Sequence, residues 1–350
     1  MAMLQEIIKS ATVPEPRECP SIRWGIIGTG GIARKFAKDV RVTGASVSAI
    51  GSRSADKAAK FAASYEIPGA NGSYEELVAR DDVDAVFVAT PHSEHRANAL
   101  LAITAGKPVL VEKAFTRNAV EAREIVTAAT QAGVFAMEAM WSRFLPHMVA
   151  ARELVKKRAI GAVMQVVADH CQALTHIPRI VEPELAGGAL LDLGVYPLSF
   201  IHSLLGVPDS IVSRGTLQAS GCDASSTTAL NYGNVITVAT TSMVSKSPTR
   251  AWIGGTEGYI DFDRQFYQAR GFEAVRHDGE TFRYAPTLKS GGMEYEIAEA
   301  SRCIAGGLLE SPIMPLRASV EVMEIMDEIR RQLGVRYPGE PSLRPAHPRI

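Results

Sequence analysis

Several groups of residues in this sequence have the types and spacing that chemistry needs. Gly28-Thr29-Gly30-Gly31-Ile32-Ala33 reads G-x-G-x-x-A. In such a run the first glycine permits a tight turn. The second, lacking a Cβ, lets a pyrophosphate approach the backbone, and the small alanine lets a helix pack on a strand. An anion held there faces free N–H groups and the positive end of a helix dipole. Glu112 and Lys113 emerge as a charged pair from the apolar run Pro108-Val109-Leu110-Val111. That is a place for chemistry or for an ordinary strand-end salt bridge. Asp192 and Tyr196 are four residues apart, so on a helix they share a face. Gly194 between them costs on the order of 1 kcal/mol against alanine. Close approach of a ligand or a backbone would explain it. The plainer reading of Asp192 is a buried carboxylate that only holds the fold.

The elements that must position these residues can be read in order. Ile22 to Ile27 is a buried strand, and a helix starts at Gly31. Ser46 to Ile50 is a second strand, ending at Gly51-Ser52-Arg53-Ser54. A dinucleotide site selective for an unphosphorylated ribose places an acid there. Here Ser52 and Arg53 occupy the place, and Lys57 lies one helical turn on. A planar fork of donors suits a 2′-phosphate. NADP(H) is therefore expected in preference to NAD(H), which is the alternative. Further strands are Asp84 to Ala89, Pro108 to Val111 and Val134 to Met137, each separated from the next by a helix. Ligands sit at the carboxyl ends of such strands. Thr90, Pro91, His92 and His95 follow one, Glu112 and Lys113 end another, and Glu138, Trp141 and Arg143 follow a third. All are candidate cofactor contacts. His92 and His95 have ligand spacing on a helix but no third partner, so no metal is expected.

Beyond Gly161 the strand–helix alternation stops. From Ser210 to about Tyr284 strand follows strand, separated by turns such as Tyr232-Gly233-Asn234 and Asp278-Gly279. This reads as an antiparallel meander, closed by helices over Glu294–Ala305 and Ala318–Leu333. Its uncovered face favours an oligomer. Three segments are expected: a leader or arm over 1–21, a nucleotide-binding domain over 22–144, and a substrate and oligomerisation domain over 145–350. The leader reads as a flexible tail or as an arm on a neighbouring subunit. His176 and Trp252 are candidates to line a substrate pocket.

Composition narrows the classes. The 350 residues carry a formal net charge of −1, so no basic field exists to hold nucleic acid. Cys19, Cys171, Cys222 and Cys303 are far apart and form no C-x-x-C. That excludes a disulfide framework or zinc motif and suits the cytoplasm. No run approaches the ~20 apolar residues that span a bilayer. Motifs for nucleotide hydrolysis, zinc proteolysis and a serine nucleophile elbow are absent.

Taken together, Gly28-x-Gly30-x-x-Ala33, Thr90-Pro91-His92, Glu112-Lys113 and Asp192-x-x-x-Tyr196 resemble the glucose–fructose oxidoreductase, inositol dehydrogenase and rhizopine-catabolism (Gfo/Idh/MocA) superfamily. The stretches Glu138 to Pro146 and Gly187 to Pro197 are most similar to its dimeric trans-dihydrodiol dehydrogenase branch. The resemblance implies an α/β Rossmann domain followed by an α+β domain with a large open, mostly antiparallel sheet. It implies hydride transfer between NAD(P) and a secondary alcohol or carbonyl of a sugar, polyol or diol, in a homodimer or homotetramer built through that sheet. It assigns Lys113 a hydrogen bond to the reacting oxygen, Tyr196 the proton transfer, and Asp192 the orientation of the pair. Ala114 stands where the family has proline, which predicts a less rigidly placed Lys113. Tyr196 stands where sugar and inositol members have histidine. The alternatives are an NAD-dependent sugar or inositol dehydrogenase, or a non-catalytic NADP-binding sensor.

Overall fold

Short apolar strands followed by helices with one apolar face have a single economical arrangement, a parallel sheet covered on both sides. The computed structural model, which describes residues 3–268 and 270–340, adopts it for the first half of the chain. Positions 1–2 of the expected leader and 341–350 of the expected C-terminal domain lie outside the described residues. After α1 (Met3–Ser10) come β1 (Arg23–Ile27), α2 (Gly31–Asp39), β2 (Ser46–Gly51), α3 (Ala55–Tyr65), β3 (Gly69–Asn71) and α4 (Tyr74–Val78). Then follow β4 (Ala85–Val88), α5 (His92–Thr104), β5 (Val109–Glu112), α6 (Ala119–Ala132) and β6 (Ala136–Ala139). The sheet order is β3-β2-β1-β4-β5-β6 with every pair parallel. Phe36 of α2 stacks on Phe87 of β4 at 4.2 Å and takes Trp24 of β1 edge-on. Ala33 is fully buried where α2 meets the sheet.

The second sheet is built differently. After α7 (Pro146–Lys156) and β7 (Val163–Cys171), the chain passes through α8 (Pro178–Val181) and α9 (Val195–Leu205). It then lays down β8 (Ser210–Leu217), β9 (Asp223–Tyr232), β10 (Val235–Ser242), β11 (Ala251–Gly255), β12 (Gly258–Phe262), β13 (Phe272–Arg276) and β14 (Thr281–Tyr284). The order is β14-β13-β12-β11-β7-β10-β9-β8. This is not the plain meander expected from the sequence. The helical connection after β7 carries the chain to the β8 edge, and two hairpins bring it back. β10 therefore arrives beside β7 running the same way, the one parallel pair in this sheet. The stretch Pro183–Leu205 is long and apolar enough to cross a bilayer, yet 83% of its most apolar window is buried in the protein. α9 packs on β7 and β10. Residues on the opposite face, among them Val212, Ile236 and Tyr259, are exposed.

The chain closes with α10 (Glu294–Ala305) and α11 (Leu316–Leu333). Two compact units result, Pro14–Phe144 with Leu288–Val320, and Met1–Val13 with Leu145–Thr287 and Glu321–Ile350. The expected segment 145–350 includes α10, but the structure does not group it with the second sheet. It lies in the unit of the parallel sheet, where Asp39, at the end of α2, caps the approach to it. The Asp39 carboxylate accepts hydrogen bonds from Ser290 Oγ (2.7 Å) and from the backbone N–H groups of Gly291 and Met293 (3.1 Å each). The N-terminal helix packs within its own unit. Leu4 and Ile8 of α1 are buried in its own unit, against α7 and β14, and Leu4 N donates to Glu280 at 2.8 Å.

Candidate active site

In the nucleotide-binding unit the expected residues gather at the carboxyl edge of the parallel sheet. Gly28 has φ +104°, and a Cβ there would lie 2.8 Å from the carbonyl oxygen of Ala89. Only glycine fits that turn. Gly30 is the N-cap of α2, and no side chain caps the helix. By contrast, Ser54, Ser73 and Asn118 cap α3, α4 and α6. A Cβ on Gly30 or Gly31 would meet nothing closer than 3.9 Å. Packing within the protein therefore does not require those glycines. An uncapped helix start beside open backbone fits the pyrophosphate of a dinucleotide. Thr29 and Ile32 flank it, half-buried.

At the end of β2, Ser52 is buried, its N–H bonded to Asn71 O at 3.1 Å and its hydroxyl accepting from Ser54 N at 3.2 Å. Arg53 and Lys57 are exposed. Burial raises the pKa of the Tyr74 hydroxyl, and the Arg53 guanidinium beside it pulls the other way. The backbone thus turns Arg53 outward at the place where a ribose phosphate would reach β2.

Lys113 sits in a braced segment. Its own N–H donates to Glu112 Oε2 at 3.0 Å, and Phe115 N–H donates to Glu138 Oε1 at 3.1 Å. Between them, Ala114 O lies 2.9 Å from His95 Nδ1. The Lys113–Ala114 peptide bond is cis. Hydrogen bonds thus fasten the backbone on both sides of the lysine, although alanine replaces proline. The other nitrogen of His95 lies 2.9 Å from Thr90 O. His95 is fully buried, and burial lowers its pKa. Each ring nitrogen faces a backbone carbonyl, and the single N–H of the neutral ring donates to one of the two, so His95 sits between the loops after β4 and β5. His92, also buried, meets it edge-on at 5.6 Å, while Thr90 and Pro91 are half-buried. Glu112, Glu138, Trp141 and Arg143 are all buried, with Lys35 Nζ 4.7 Å over the Trp141 ring. Burial pushes Glu138 up to about 7. It raises Glu296 of α10 well above the ordinary carboxylate range, with the charge of Glu112 adding to the effect.

The other unit holds Asp192 and Tyr196. Residues Leu190–Gly194 form a wide, π-helical turn that runs into α9. A Cβ on Gly194 would lie 3.0 Å from Leu190 Cδ1 and 3.3 Å from Thr241 Cγ2 of β10. Within the protein, side chains and not a backbone crowd that glycine. Asp192 is buried and accepts a hydrogen bond from Arg179 Nη1 at 2.9 Å. The Tyr196 ring lies edge-on to His170 of β7, with centroids 5.1 Å apart, and 4.7 Å from Tyr267. His170 stacks on Tyr267 at 4.3 Å. Gln172 Nε2 lies 2.7 Å from His170 Nε2 and donates to the Tyr267 hydroxyl at 3.2 Å.

The sequence marks Arg179 only as one of the special residues of the loop with His176, Pro178 and Pro183, and it does not mark His170 or Tyr267. No local motif marks His170 and Tyr267, because a strand, a loop and α9 must pack before they converge on Tyr196. The two pocket candidates fare differently. His176 is exposed in the loop ahead of α8. Trp252 pairs with Val167 of β7. Successive residues of a strand face opposite sides, so Trp252 faces away from Ala168, His170 and the Tyr196 helix. Among the described residues no group of three or more His, Cys, Asp or Glu could hold a metal ion, and all four cysteines are buried and unpaired.

Two family models match this chain. One describes an oxidoreductase family with an NAD-binding Rossmann fold and covers residues 22–140. The other describes a GFO/IDH/MocA C-terminal domain and covers 148–261. The chain is 36% identical over 332 residues to the trans-1,2-dihydrobenzene-1,2-diol dehydrogenase of Mus musculus, across 91% of this chain and 98% of that protein. It is equally similar, 36% over 328 residues, to the protein of the same name from Xenopus tropicalis, across 90% and 99%. Among solved structures it resembles an aldose-aldose oxidoreductase from Caulobacter crescentus (TM-score 0.81, 23% identity, 89% of this chain and 97% of that one). It also resembles a 3-ketoreductase from Actinomadura kijaniata in complex with NADP (TM-score 0.78, 25% identity, 90% and 98%). The dinucleotide turn at Gly28, the parallel sheet behind it, the large second sheet and these matches together place the chain in the Gfo/Idh/MocA family of NAD(P)-binding oxidoreductases.

Proposed function

We propose that this oxidoreductase is NADP-dependent and moves a hydride between nicotinamide and a secondary alcohol or carbonyl of a sugar, polyol or trans-dihydrodiol. The observation that carries the reading is a shared edge. The glycine turn after β1, Arg53 after β2, Thr90 after β4 and Lys113 after β5 all leave the carboxyl ends of one parallel sheet. When bound, the dinucleotide supplies the hydride acceptor or donor. The N–H groups at Gly30 and Gly31 hold its pyrophosphate, and Arg53 with Ser52 selects the 2′-phosphate. Lys113, braced by Glu112 and Glu138, donates a hydrogen bond to the reacting oxygen. Tyr196 takes or returns the proton of that oxygen, with Asp192 and its partner Arg179 fixing the start of its helix.

The diol class is supported by the relatives named as dihydrodiol dehydrogenases and by tyrosine at position 196. The same reading places the enzyme in the cytoplasm as a dimer or tetramer. The outer face of the second sheet, with Val212, Ile236, Tyr259 and Trp252, is the surface that would join subunits.

Consumption of NADPH and NADH across a panel of sugars, inositols, diols and dicarbonyls tests substrate and cofactor. Single-turnover measurements on Lys113→Met and Tyr196→Phe then test the roles. Each variant should slow hydride transfer on the order of 10²-fold or more. Wild-type rates in both would defeat the assignment.

A further inference from the structure

We infer that the segment Val335 to Glu340 is a positioning strap for the helix that carries Asp192 and Tyr196, with Tyr337 holding the Gly187–Gly188 turn and Arg330 and Glu340 holding Tyr337. The inference rests on the proposed role of Tyr196, but its geometry lies within one unit and stands by itself.

Tyr337 is buried, and its hydroxyl donates to the carbonyl oxygen of Gly187 at 2.7 Å. That carbonyl belongs to the turn from which the Asp192 helix starts. The turn is gripped from a second direction by Asp223, whose Oδ2 accepts from Leu190 N–H at 2.6 Å. Gly188 passes between the two with φ +128°, and a Cβ there would lie 2.2 Å from Asp223 Oδ1 and 3.4 Å from the Tyr337 hydroxyl. The backbone therefore has no slack at this point. One turn later, Asp192 N–H bonds to Gly188 O at 3.4 Å. A shift at Gly187 is thus passed directly to Asp192 and, through the following turn, to Tyr196.

Tyr337 is itself locked. The Arg330 guanidinium lies 4.1 Å over its ring, close enough for cation–π attraction. Arg330 is fully buried, with Nη1 3.2 Å from Glu340 Oε1 and 3.3 Å from Asp327, and Nη2 bonded to Glu340 Oε2. The Tyr337 N–H donates to Glu340 Oε2 at 3.0 Å. A buried ion pair is a poor source of stability compared with apolar packing. What the Arg330–Glu340 pair supplies is one orientation of one ring, whose hydroxyl reaches one carbonyl of the turn ahead of the Asp192 helix.

Tyr337→Phe in the full chain removes the hydroxyl and leaves the ring beneath Arg330. Hydrogen–deuterium exchange of peptides covering residues 187–198 should quicken about tenfold, while peptides from β1, β4 and β5 stay unchanged. That readout needs no substrate, so it decides the strap even if turnover is never found. With a substrate, kcat should fall about tenfold, equivalent to about 1.4 kcal/mol, with the NADPH dissociation constant unchanged. Glu340→Gln should repeat the pattern. A merely structural role would lower the melting temperature and leave kcat of the folded enzyme alone. Unchanged exchange over 187–198 in both variants would overturn the strap. Faster exchange with wild-type kcat would overturn its link to Tyr196. An inactive wild type with the expected exchange would instead defeat the proposed function.

Discussion

His170 and Tyr196 meet edge to face, their ring centroids 5.1 Å apart, across the packing of β7 against α9. His170 is pinned in turn by its stack on Tyr267. A well-placed aromatic pair is worth roughly 0.5–1.5 kcal/mol beyond its buried area. His170→Ala should therefore lower kcat roughly threefold to tenfold, by loosening Tyr196. His170→Phe keeps both ring contacts and should recover most of that loss. Steady-state kinetics on the two variants check this, and equal rates in alanine and wild type would remove His170 from the account.

The two glycines of the turn should fail differently. Gly28→Ala places a Cβ 2.8 Å from a backbone oxygen at φ +104°, a conformation that costs about 1–3 kcal/mol for other residues even before the clash. It should lower stability and cofactor affinity together. Gly30 has φ −75° and open space around its Cβ position. Gly30→Ala should leave stability within about 0.5 kcal/mol and still weaken nucleotide binding. Chemical denaturation beside a binding titration separates the two. Intact affinity in Gly30→Ala would mean that the pyrophosphate does not lie against this backbone.

Arg53 is exposed at the end of β2 with no acid beside it in sequence. A hydrogen bond to a charged group is worth about 1.5–3 kcal/mol. Arg53→Ala should then weaken NADPH by roughly tenfold to a hundredfold and leave NADH within about twofold. Equal affinity of the wild type for the two cofactors would defeat the NADP assignment.

Stability should depend on pH through Glu138. In the folded chain burial holds its carboxyl up to about 7, against about 4.3 when unfolded. The folded state therefore binds the extra proton between these values. Its stabilising contribution is fully present below about pH 4 and is lost as pH rises through about 7, at most roughly 4 kcal/mol. Arg143 and Lys113 oppose the shift, while Glu296 is displaced the same way for the same reason. Urea unfolding at about pH 5 and pH 8 should show a smaller loss in Glu138→Gln than in wild type. An identical loss would contradict this account.

The first unit was legible because its signals are local. A glycine turn follows a strand directly, and the end of each apolar run marks the sheet edge where ligands gather. Gly28, Arg53 and Lys113 could be placed there without knowing any contact across the chain. The four-residue spacing of Asp192 and Tyr196 predicts one helix, and the structure puts Asp192 in the π-helical turn that runs into α9, where Tyr196 lies. Only tertiary structure decided what surrounds them. Parallel pairing of β10 with β7 depends on a helical connection and two hairpins. Antiparallel pairing of β11 with β7 sets Trp252 opposite Val167, on the face away from His170. Asp39 draws α10 into the nucleotide-binding unit, and Tyr337 reaches back to Gly187. His95 faces inward because two carbonyls, from Thr90 and Ala114, converge on its ring. Such relationships join residues far apart in sequence. They are set by the registry of sheets and the burial of polar groups, which no local pattern encodes.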